Sequence, residues 1–321
     1  MEIDVLMCGY NEAPHIPRAL ESLRAQSVEP RSFRVIFVDN ASKDETRKIV
    51  EENSHGLDLE YVYEPQPGLN VARNTGYAHA RADYVAHIDA DAKADPRWIE
   101  TTLEVIRQER PDLCGGPYYP YYLTEKPDWF LDSYNSSLDK GTEARYLRED
   151  EFLNGTNMIW RRSVVEELGG FNAHVGLTER GLARGDETNL IVHARRTLKS
   201  FRAFYHPGII VYHLTRPETF SLWYWARRSF SQGRHDYGMW NKTTQKRSKV
   251  LRLAQFFSAA TMVGARGAKS FVQRDRGSFP RWENYWFETM MPEIYRLGEV
   301  WELARERAPQ GNEKPRPPES D

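Results

Sequence analysis

The sequence predicts an α/β protein with a doubly wound, mostly parallel central sheet, followed by a mainly helical C-terminal extension. Two observations lead to this fold class. Short apolar runs typical of buried strands alternate with segments of helical periodicity through the first part of the chain. From Thr219 onward the pattern is helical and carries many aromatic and basic residues. Alternation of the first kind is typical of βαβ units in a parallel sheet.

Composition sets further limits. The chain has 321 residues, of which 40% are hydrophobic, so a substantial core can form. A formal net charge of −2 gives no electrostatic reason to expect a nucleic-acid partner. Cys8 and Cys114 lack metal-ligand spacing and are expected to be free thiols of a cytoplasmic protein. The N-terminus lacks a basic n-region and no run of about 18 apolar residues occurs, so we expect neither a signal peptide nor a membrane span.

The first elements follow one another in strict order. An apolar stripe from Ile16 to Leu23 predicts the first helix. Ser42 and Glu45 have the spacing of a capping box and predict the start of the second helix. The loop beginning at Pro67 leads into the third helix. The predicted strands between these helices lie at residues 3–8, 34–39, 59–64 and 83–89.

Later elements complete the pattern. The aromatic segments GGPYYPYYL and WFLDSYNSS, which begin at Gly115 and Trp129, are typical of a wall over a pocket. A strand at GTNMIW is followed by a short helix that ends at Gly169 and Gly170. A further helix, GDETNLIVHARRTLK, precedes a last strand at IIVYH, which ends at His213. The apolar stripe of that helix is formed by Leu190, Ile191, Ala194 and Leu198.

Acidic residues follow two of the predicted strands. Because ligands bind beyond the carboxyl ends of the strands in such sheets, Asp39 and Asp89 are expected to converge there. Asp89 and Asp91 can face the same side, since strand side chains alternate. Two carboxylates repel each other unless a cation lies between them, and oxygen ligands suit Mg²⁺ or Mn²⁺. The alternative is a turn, because Asp often serves in turns, and Asp95 before Pro96 is expected to be a helix N-cap.

Six motifs follow one another along residues 3–215. They are CGYNEAPHI, VDNASKDET, GLNVARNTGYAHARADYVAHIDAD, GTNMIWRRSVVEELGGFN, RGDETNL and YHPGIIVYH. Any one of these motifs is weak evidence, but together and in this order they resemble the family-2 glycosyltransferases of GT-A fold. The resemblance implies a nucleotide-sugar-binding catalytic domain at residues 1–215, then a helical region at 216–307. The Pro-rich, polar segment 308–321 is predicted to be a disordered tail.

The resemblance implies roles for individual residues. Asp39 would accept a hydrogen bond from N3–H of uracil, which selects a UDP- or TDP-linked donor. Tyr10 would lie against the base and Arg73 would contact the base or the phosphates. Asp89 would touch the ribose and also belong to a site for Mn²⁺ or Mg²⁺. The full set of implied nucleotide-sugar contacts is Gly9, Tyr10, Asn11, Glu12, Asp39, Arg73, Asn74, Asp89, Ala90, Gly155 and Asn157. The implied metal ligands are Asp91, Asp89 and His213.

The resemblance also implies the chemistry. The acceptor hydroxyl would attack the anomeric carbon with inversion, and a carboxylate would take its proton. The family places this base in a Glu-Asp pair, whereas this chain has Asp186 followed by Glu187. The register of RGDETNL puts Glu187 in the position of the base, and Asp186 is the second choice. The alternative role for both acids is to complement the positive end of a helix.

Several functional alternatives remain open at this point. One is a retaining transferase on the same fold, and a more distant one is a sugar nucleotidyltransferase. A third is a nucleotide-binding or assembly module without activity. The acceptor could be a glycan, a lipid-linked molecule or a small molecule. The C-terminal helices could lie on the inner membrane surface, making the protein peripheral there, or pack against protein, including a second subunit.

Overall fold

The computed structural model describes residues 2–137, 140–173, 186–240 and 249–305. Within these ranges, only the backbone is described at residues 186–187, 237–240, 249 and 273. The chain divides into two compact units, Met1–Phe220 and Ser221–Asp321. The predicted disordered tail, 308–321, lies outside the described residues.

The described residues of the first unit contain eleven strands, which form one large and one small sheet. In chain order the strands are β1 (Ile3–Gly9), β2 (Phe33–Asp39), β3 (Leu59–Tyr63), β4 (Tyr84–His87), β5 (Ala92–Ala94), β6 (Leu113–Gly115), β7 (Tyr118–Tyr121), β8 (Arg145–Tyr146), β9 (Met158–Arg161), β10 (Ala203–Tyr205) and β11 (Val211–Leu214). The helices of this unit are α1 (Ile16–Arg24), α2 (Thr46–Asn53), α3 (Leu69–His79), α4 (Trp98–Glu109), α5 (Arg162–Glu167) and α6 (Asp186–Thr197).

The large sheet is mixed and mostly parallel, as predicted. Its eight strands have the order β3-β2-β1-β4-β9-β6-β10-β8. β1 pairs in parallel with β2 and β4, and β2 pairs in parallel with β3. Only β9 and β8 run against their neighbours in this sheet. The small sheet has the order β5-β11-β7.

Helices cover both faces of the large sheet, which explains why its central strands are apolar at almost every position. On one face, Val5 and Val35 lie in the same buried cluster as Leu20 of α1. On the other face, Leu6 lies in a second cluster with Ile191 of α6. Successive side chains of a strand point to opposite faces, so each layer of helices has its own core. The fold is therefore doubly wound.

Two predicted helix caps differ from the structure. Helix α2 begins at Thr46. The side chain that accepts a hydrogen bond at its start is Asp44 rather than Ser42, because Asp44 Oδ1 accepts from the Thr46 amide at 3.0 Å. The predicted capping box of Ser42 and Glu45 is therefore wrong. Asp95 is not the N-cap of α4 either, since α4 begins at Trp98. Its carboxylate instead accepts from the Arg97 amide at 3.0 Å and closes the preceding turn.

The second unit is helical in its described part, as predicted. Its helices are α7 (Leu222–Trp240), α8 (Lys249–Gln273), α9 (Trp282–Tyr285) and α10 (Met291–Arg305). Helices α7 and α10 approach closely at two glycines, since a Cβ on Gly233 would lie 1.9 Å from the Tyr295 carbonyl oxygen and one on Gly298 would lie 2.1 Å from that of Phe230. Within the described ranges, no helix combines the length and the apolar character that crossing a bilayer requires.

Candidate functional site

The candidate site lies at the carboxyl edge of the parallel strands. β1 pairs with β2 through Gly9 and Asp39, and the Asn40 amide donates to the Gly9 carbonyl at 2.8 Å. β4 lies on the other side of β1 and runs parallel to it, so the chain that leaves β4 carries Asp89 to the same edge. Parallel strands that share one edge explain why Asp39 and Asp89 are delivered to one side of the sheet.

Two aspartates and a histidine form a potential metal centre there. Nε2 of His213 lies 3.2 Å from Oδ2 of Asp89 and 3.5 Å from Oδ1 of Asp91. The potential ligand atoms of these three residues all lie within 4.8 Å of one another. His213 reaches this position because β11 pairs with β5, the short strand just after Asp91, with His213 opposite Ala92.

The tautomer of His213 bears on whether this donor set fits a cation. Its Nδ1 lies 3.0 Å from the carbonyl oxygen of Leu214, which can only accept. When the ring is neutral, Nδ1 is therefore its protonated nitrogen, and the Nε2 lone pair faces the carboxylates. A cation placed among these atoms would be attracted by the Nε2 lone pair and by both carboxylates. One nitrogen and carboxylate oxygens fit Mn²⁺ or Mg²⁺, the ions that the sequence predicted.

Arg216 and Glu12 adjoin this cluster, and Arg216 was not predicted as a site residue. Nη2 and Nε of Arg216 lie 2.7 and 3.1 Å from Oδ2 of Asp91, and Nη2 also lies 2.6 Å from Oε1 of Glu12. Burial, together with repulsion from Asp91, raises the pKa of Glu12 to about 7 although Arg216 opposes the shift. The only sequence signal for Arg216 is a basic residue three positions after His213.

The loop after β1 is tied to the loop after β2. Asn11 adopts a left-handed backbone with φ of 55°, and its amide donates to the Ser42 hydroxyl at 2.9 Å. In return, the Lys43 amide donates to Oδ1 of Asn11 at 2.8 Å. Tyr10 has 48% of its surface exposed next to this junction. The two loops thus form one surface at the carboxyl edge of the sheet.

Asp39 is buried within that junction with both of its oxygens engaged. Oδ2 accepts from the Tyr61 hydroxyl at 2.7 Å, and Oδ1 accepts from the Ser42 amide at 2.9 Å. Burial and the bond to Asp39 raise the pKa of Tyr61, so its hydroxyl keeps the proton that it donates. The carboxylate therefore has a fixed orientation.

Two residues of α3 were predicted to contact the nucleotide. Arg73 is buried, with its guanidinium carbon 5.4 Å from the centre of the Phe171 ring. Asn74 donates to the Phe171 carbonyl and accepts from the Phe171 amide, both at 2.8 Å. The Asn74 side chain therefore fixes the turn that contains Gly170 and Phe171, and its role towards a nucleotide stays a prediction.

The predicted sugar-site segment is also engaged within the fold. Gly155–Asn157 is a buried 3₁₀ turn just before β9. The side-chain nitrogen of Asn157, Nδ2, donates to the carbonyls of Pro117 and Ile209. Its Oδ1 accepts from the Trp98 indole at 2.9 Å. Asn157 thus ties separate loops together, whereas its predicted contact with a sugar stays a prediction.

The predicted base residues begin α6. Asp186 is the first residue of this helix and Glu187 the second. Their side chains lie outside what the structure describes, so both roles stay predictions. Of the predicted site residues, the structure brings Asp89, Asp91 and His213 into one cluster.

Sequence comparison gives the family. The family described as Glycosyl transferase family 2 matches residues 4–169, more than half of the chain. The chain belongs to this family, as its motifs predicted. It is 30% identical over 181 residues to glycosyltransferase AglE of Haloferax volcanii, a match that covers 54% of this chain and 57% of that protein. It is 28% identical over 184 residues to the glucosyl-dolichyl phosphate glucuronosyltransferase of the same organism, covering 55% of this chain and 58% of the relative. The chain thus matches less than two thirds of either relative.

Solved structures give the same fold. Residues 1–349 of S. aureus TarS in complex with UDP-GlcNAc superpose with a TM-score of 0.55 at 16% identity, covering 95% of this chain and 90% of that one. The mannosyltransferase PcManGT from Pyrobaculum calidifontis, in complex with GDP-Man and Mn²⁺, gives a TM-score of 0.61 at 19% identity, covering 94% and 87%. These likenesses confirm the predicted GT-A type of fold.

Proposed function

We propose that the chain is a metal-dependent, inverting glycosyltransferase that moves a sugar from a UDP-sugar to an acceptor hydroxyl. One observation carries this proposal: the carboxylates of Asp89 and Asp91 meet the imidazole of His213 at the carboxyl edge of the sheet, with the potential ligand atoms within 4.8 Å. Membership of glycosyl transferase family 2 supports a sugar transfer. PcManGT, which has a similar fold, is described in complex with a nucleotide sugar and Mn²⁺.

The three clustered residues would hold Mn²⁺ or Mg²⁺ next to the donor diphosphate. When bound, such an ion supplies a Lewis acid that offsets the charge on the departing nucleoside diphosphate. His213 can contribute Nε2 because the Leu214 carbonyl holds its proton on Nδ1. Asp91 can contribute Oδ1, because its other oxygen already accepts from Arg216.

The donor nucleotide would be selected at Asp39. Its carboxylate has a fixed orientation, and we propose that it accepts the N3–H of uracil while the exposed ring of Tyr10 lies against the base. A guanine donor is the alternative, since PcManGT is described with GDP-Man. A thermal-shift screen of UDP-, GDP- and TDP-sugars with Mn²⁺ separates the two, because binding raises the apparent stability by mass action.

The acceptor proton would go to Glu187, at the start of α6. In the proposed step the acceptor oxygen attacks the anomeric carbon, a carboxylate oxygen of Glu187 takes the hydroxyl proton, and the bond to the diphosphate oxygen breaks. The sugar passes through an oxocarbenium-like state. A retaining transferase on the same fold is the alternative, and the anomeric configuration of the product, measured by NMR, decides between them.

Donor turnover tests the proposal as a whole. Release of UDP from UDP-sugars is measured with Mn²⁺ and again after its removal by a chelator. We expect metal-dependent release that Asp91→Asn abolishes. Nucleotide binding without any release, over a panel of UDP-sugars and acceptors, would instead support the non-catalytic binding module.

The proposed acceptor is lipid-linked, and the outward face of α8 supports a peripheral contact with an anionic membrane. This helix contains no acidic residue, whereas Arg266 and Lys269 are exposed on it. The exposed apolar side chains of α8 fit the upper acyl region of a bilayer, and Lys269 fits its anionic headgroups, whereas Arg266 already pairs with Glu293 of α10. Exposed large apolar side chains on α8 are Val250, Leu251, Phe257, Met262, Phe271 and Val272.

Vesicle flotation tests this membrane contact. We expect the protein to float with vesicles containing phosphatidylglycerol and to stay behind with pure phosphatidylcholine. Phe257→Ser with Val272→Ser should abolish flotation, because these side chains are 63% and 83% exposed. Leu123→Ser, which changes an exposed leucine of the first unit, is the matched control and should float normally. Equal recovery of all variants with both lipids would remove the membrane from the proposal, and a loss of dimer mass in the double variant would assign the face to a second copy.

A further inference from the structure

The two oxygens of the Asp91 carboxylate have different neighbours. Nη2 and Nε of Arg216 both lie against Oδ2, at 2.7 and 3.1 Å, while Oδ1 faces Nε2 of His213 at 3.5 Å. Oδ2 therefore accepts hydrogen bonds from the Arg216 guanidinium, whereas Oδ1 faces the potential metal centre. Glu12 holds the guanidinium in place through a second bond of 2.6 Å from Nη2.

This arrangement puts two cations, the guanidinium and the metal ion, on one carboxylate when a divalent cation is bound. A guanidinium stays protonated at every working pH, so Arg216 cannot lower the repulsion by losing a proton. The side chain of Arg216 is 39% exposed, so an incoming anion can reach its guanidinium. The guanidinium and the metal ion repel each other, and an additional anion that contacts both would reduce this repulsion.

We propose that Arg216 couples metal binding to diphosphate binding, so that the divalent cation binds tightly only together with the nucleoside diphosphate. The inference rests on the proposed function, since it needs a metal at Asp91. Without nucleotide, the guanidinium competes with the metal for the charge of Asp91. A diphosphate carries several negative oxygens, and it can contact the metal and Arg216 at the same time.

Linkage gives this coupling a measurable form. If UDP raises the affinity for Mn²⁺ by some factor, Mn²⁺ must raise the affinity for UDP by the same factor. Removing the charge of Arg216 should then change two quantities in opposite senses. Mn²⁺ alone should bind more tightly, and the enhancement by UDP should fall. A residue that merely holds two loops together would weaken both kinds of binding or neither.

The test is a set of titration calorimetry measurements on the full chain. The affinity for Mn²⁺ is measured without UDP and with saturating UDP, for the unchanged protein, for Arg216→Gln and for Arg216→Lys. Arg97→Gln is the control, because Arg97 forms an exposed pair with Glu100 away from the site. In the unchanged protein and in Arg97→Gln we expect UDP to tighten Mn²⁺ binding by about tenfold or more, within the usual range of coupling between sites.

The variants then decide the inference. Arg216→Gln should bind Mn²⁺ alone a few times more tightly than the unchanged protein and lose most of the enhancement by UDP. Arg216→Lys keeps the charge and should keep most of the enhancement, which guards against a folding defect in the first variant. An enhancement in Arg216→Gln equal to that of the unchanged protein, or weaker binding of Mn²⁺ alone, would overturn the inference. Absence of Mn²⁺ binding in the unchanged protein with UDP would instead overturn the proposed metal site.

Discussion

The hydroxyl of Tyr61 donates a hydrogen bond to Oδ2 of Asp39, with 2.7 Å between the two oxygens. The two residues lie on the neighbouring strands β3 and β2, and the Ser42 amide fixes the other carboxylate oxygen. Asp39 is thus oriented before any ligand arrives. Because a fixed acceptor loses little entropy on binding, this orientation favours discrimination between bases by hydrogen bonding.

Asp39→Ala should therefore lower the affinity for UDP by about ten- to a hundredfold, the usual range for a hydrogen bond to a charged group. The affinity for GDP should change much less, because the proposed contact is specific for the uracil N3–H. Titration calorimetry with both nucleotides and Mn²⁺ gives the comparison. Tyr61→Phe keeps the carboxylate but frees its orientation, and a loss of only a few-fold is expected there. An equal loss for UDP and GDP in Asp39→Ala would contradict base selection by Asp39.

His213→Ala should weaken Mn²⁺ binding in the presence of UDP by about ten- to a hundredfold, because a nitrogen ligand is lost. His206→Ala is the matched control. His206 lies in the connection between β10 and β11, and its Nδ1 accepts from the Gly208 amide at 3.1 Å, which gives it a structural role. Electron paramagnetic resonance of free Mn²⁺ measures both variants. The assignment of His213 is wrong if both histidines have the same effect.

Glu187→Gln should abolish sugar transfer and leave the affinity for UDP and Mn²⁺ unchanged, since a neutral amide cannot take the acceptor proton. Asp186→Asn should retain most of the activity. Rates of UDP release with a matched acceptor give the comparison, and calorimetry gives the binding control. Full turnover by Glu187→Gln together with a loss in Asp186→Asn would move the base to Asp186.

Asp4 gives a prediction about stability. Its buried carboxylate accepts from Nε and Nη2 of Arg34 at 3.2 and 3.1 Å. The amides of Arg81 and Ala82 also donate to it. Burial alone would raise the pKa of Asp4, but the hydrogen bonds from Arg34, Ala82 and Arg81 outweigh it and lower the pKa. Asp4→Asn should therefore reduce the free energy of unfolding by about 3 kcal/mol, because Arg34 stays buried without its main counter-ion.

The pH dependence of this effect follows from the lowered pKa. The folded state holds Asp4 ionised more strongly than the unfolded state does, so its contribution is complete above about pH 4, the ordinary value for an Asp. The contribution is lost as the pH falls through the lower pKa of the folded state. Urea unfolding at pH 7 and at pH 3 should show a smaller difference between Asp4→Asn and the unchanged protein at pH 3. A difference that grows on acidification would contradict this assignment.

The parts predicted from sequence are those in which local pattern and burial agree. β1, β2 and β4 were predicted because continuous apolar runs mark strands covered on both faces. β5 was missed, because three residues are too few to show a period, and this strand exists through its pairing with β11. The predicted capping box failed for a related reason. Ser42 accepts from the Asn11 amide of a distant loop, and Asp44 is left to serve α2.

The candidate site also contains residues that the sequence predicted and residues that it did not. The two aspartates were predicted because both follow one strand, and His213 was found only through the resemblance to a family. Arg216 could not be predicted, because its pairing with Asp91 and Glu12 depends on how the chain returns to the first strand. The hydrogen bonds of the Asn157 side chain were not predicted either, because its partners come from three separate segments.

The pairing of β5 with β11 also sets an order of events during biosynthesis. Asp89 and Asp91 leave the ribosome early, whereas the histidine that joins them lies near the end of the first unit. Contacts between segments so distant along the chain form late and slow the acquisition of structure. A nascent chain would accordingly bind a cation at this cluster only after the first unit has been synthesised and β11 has paired with β5.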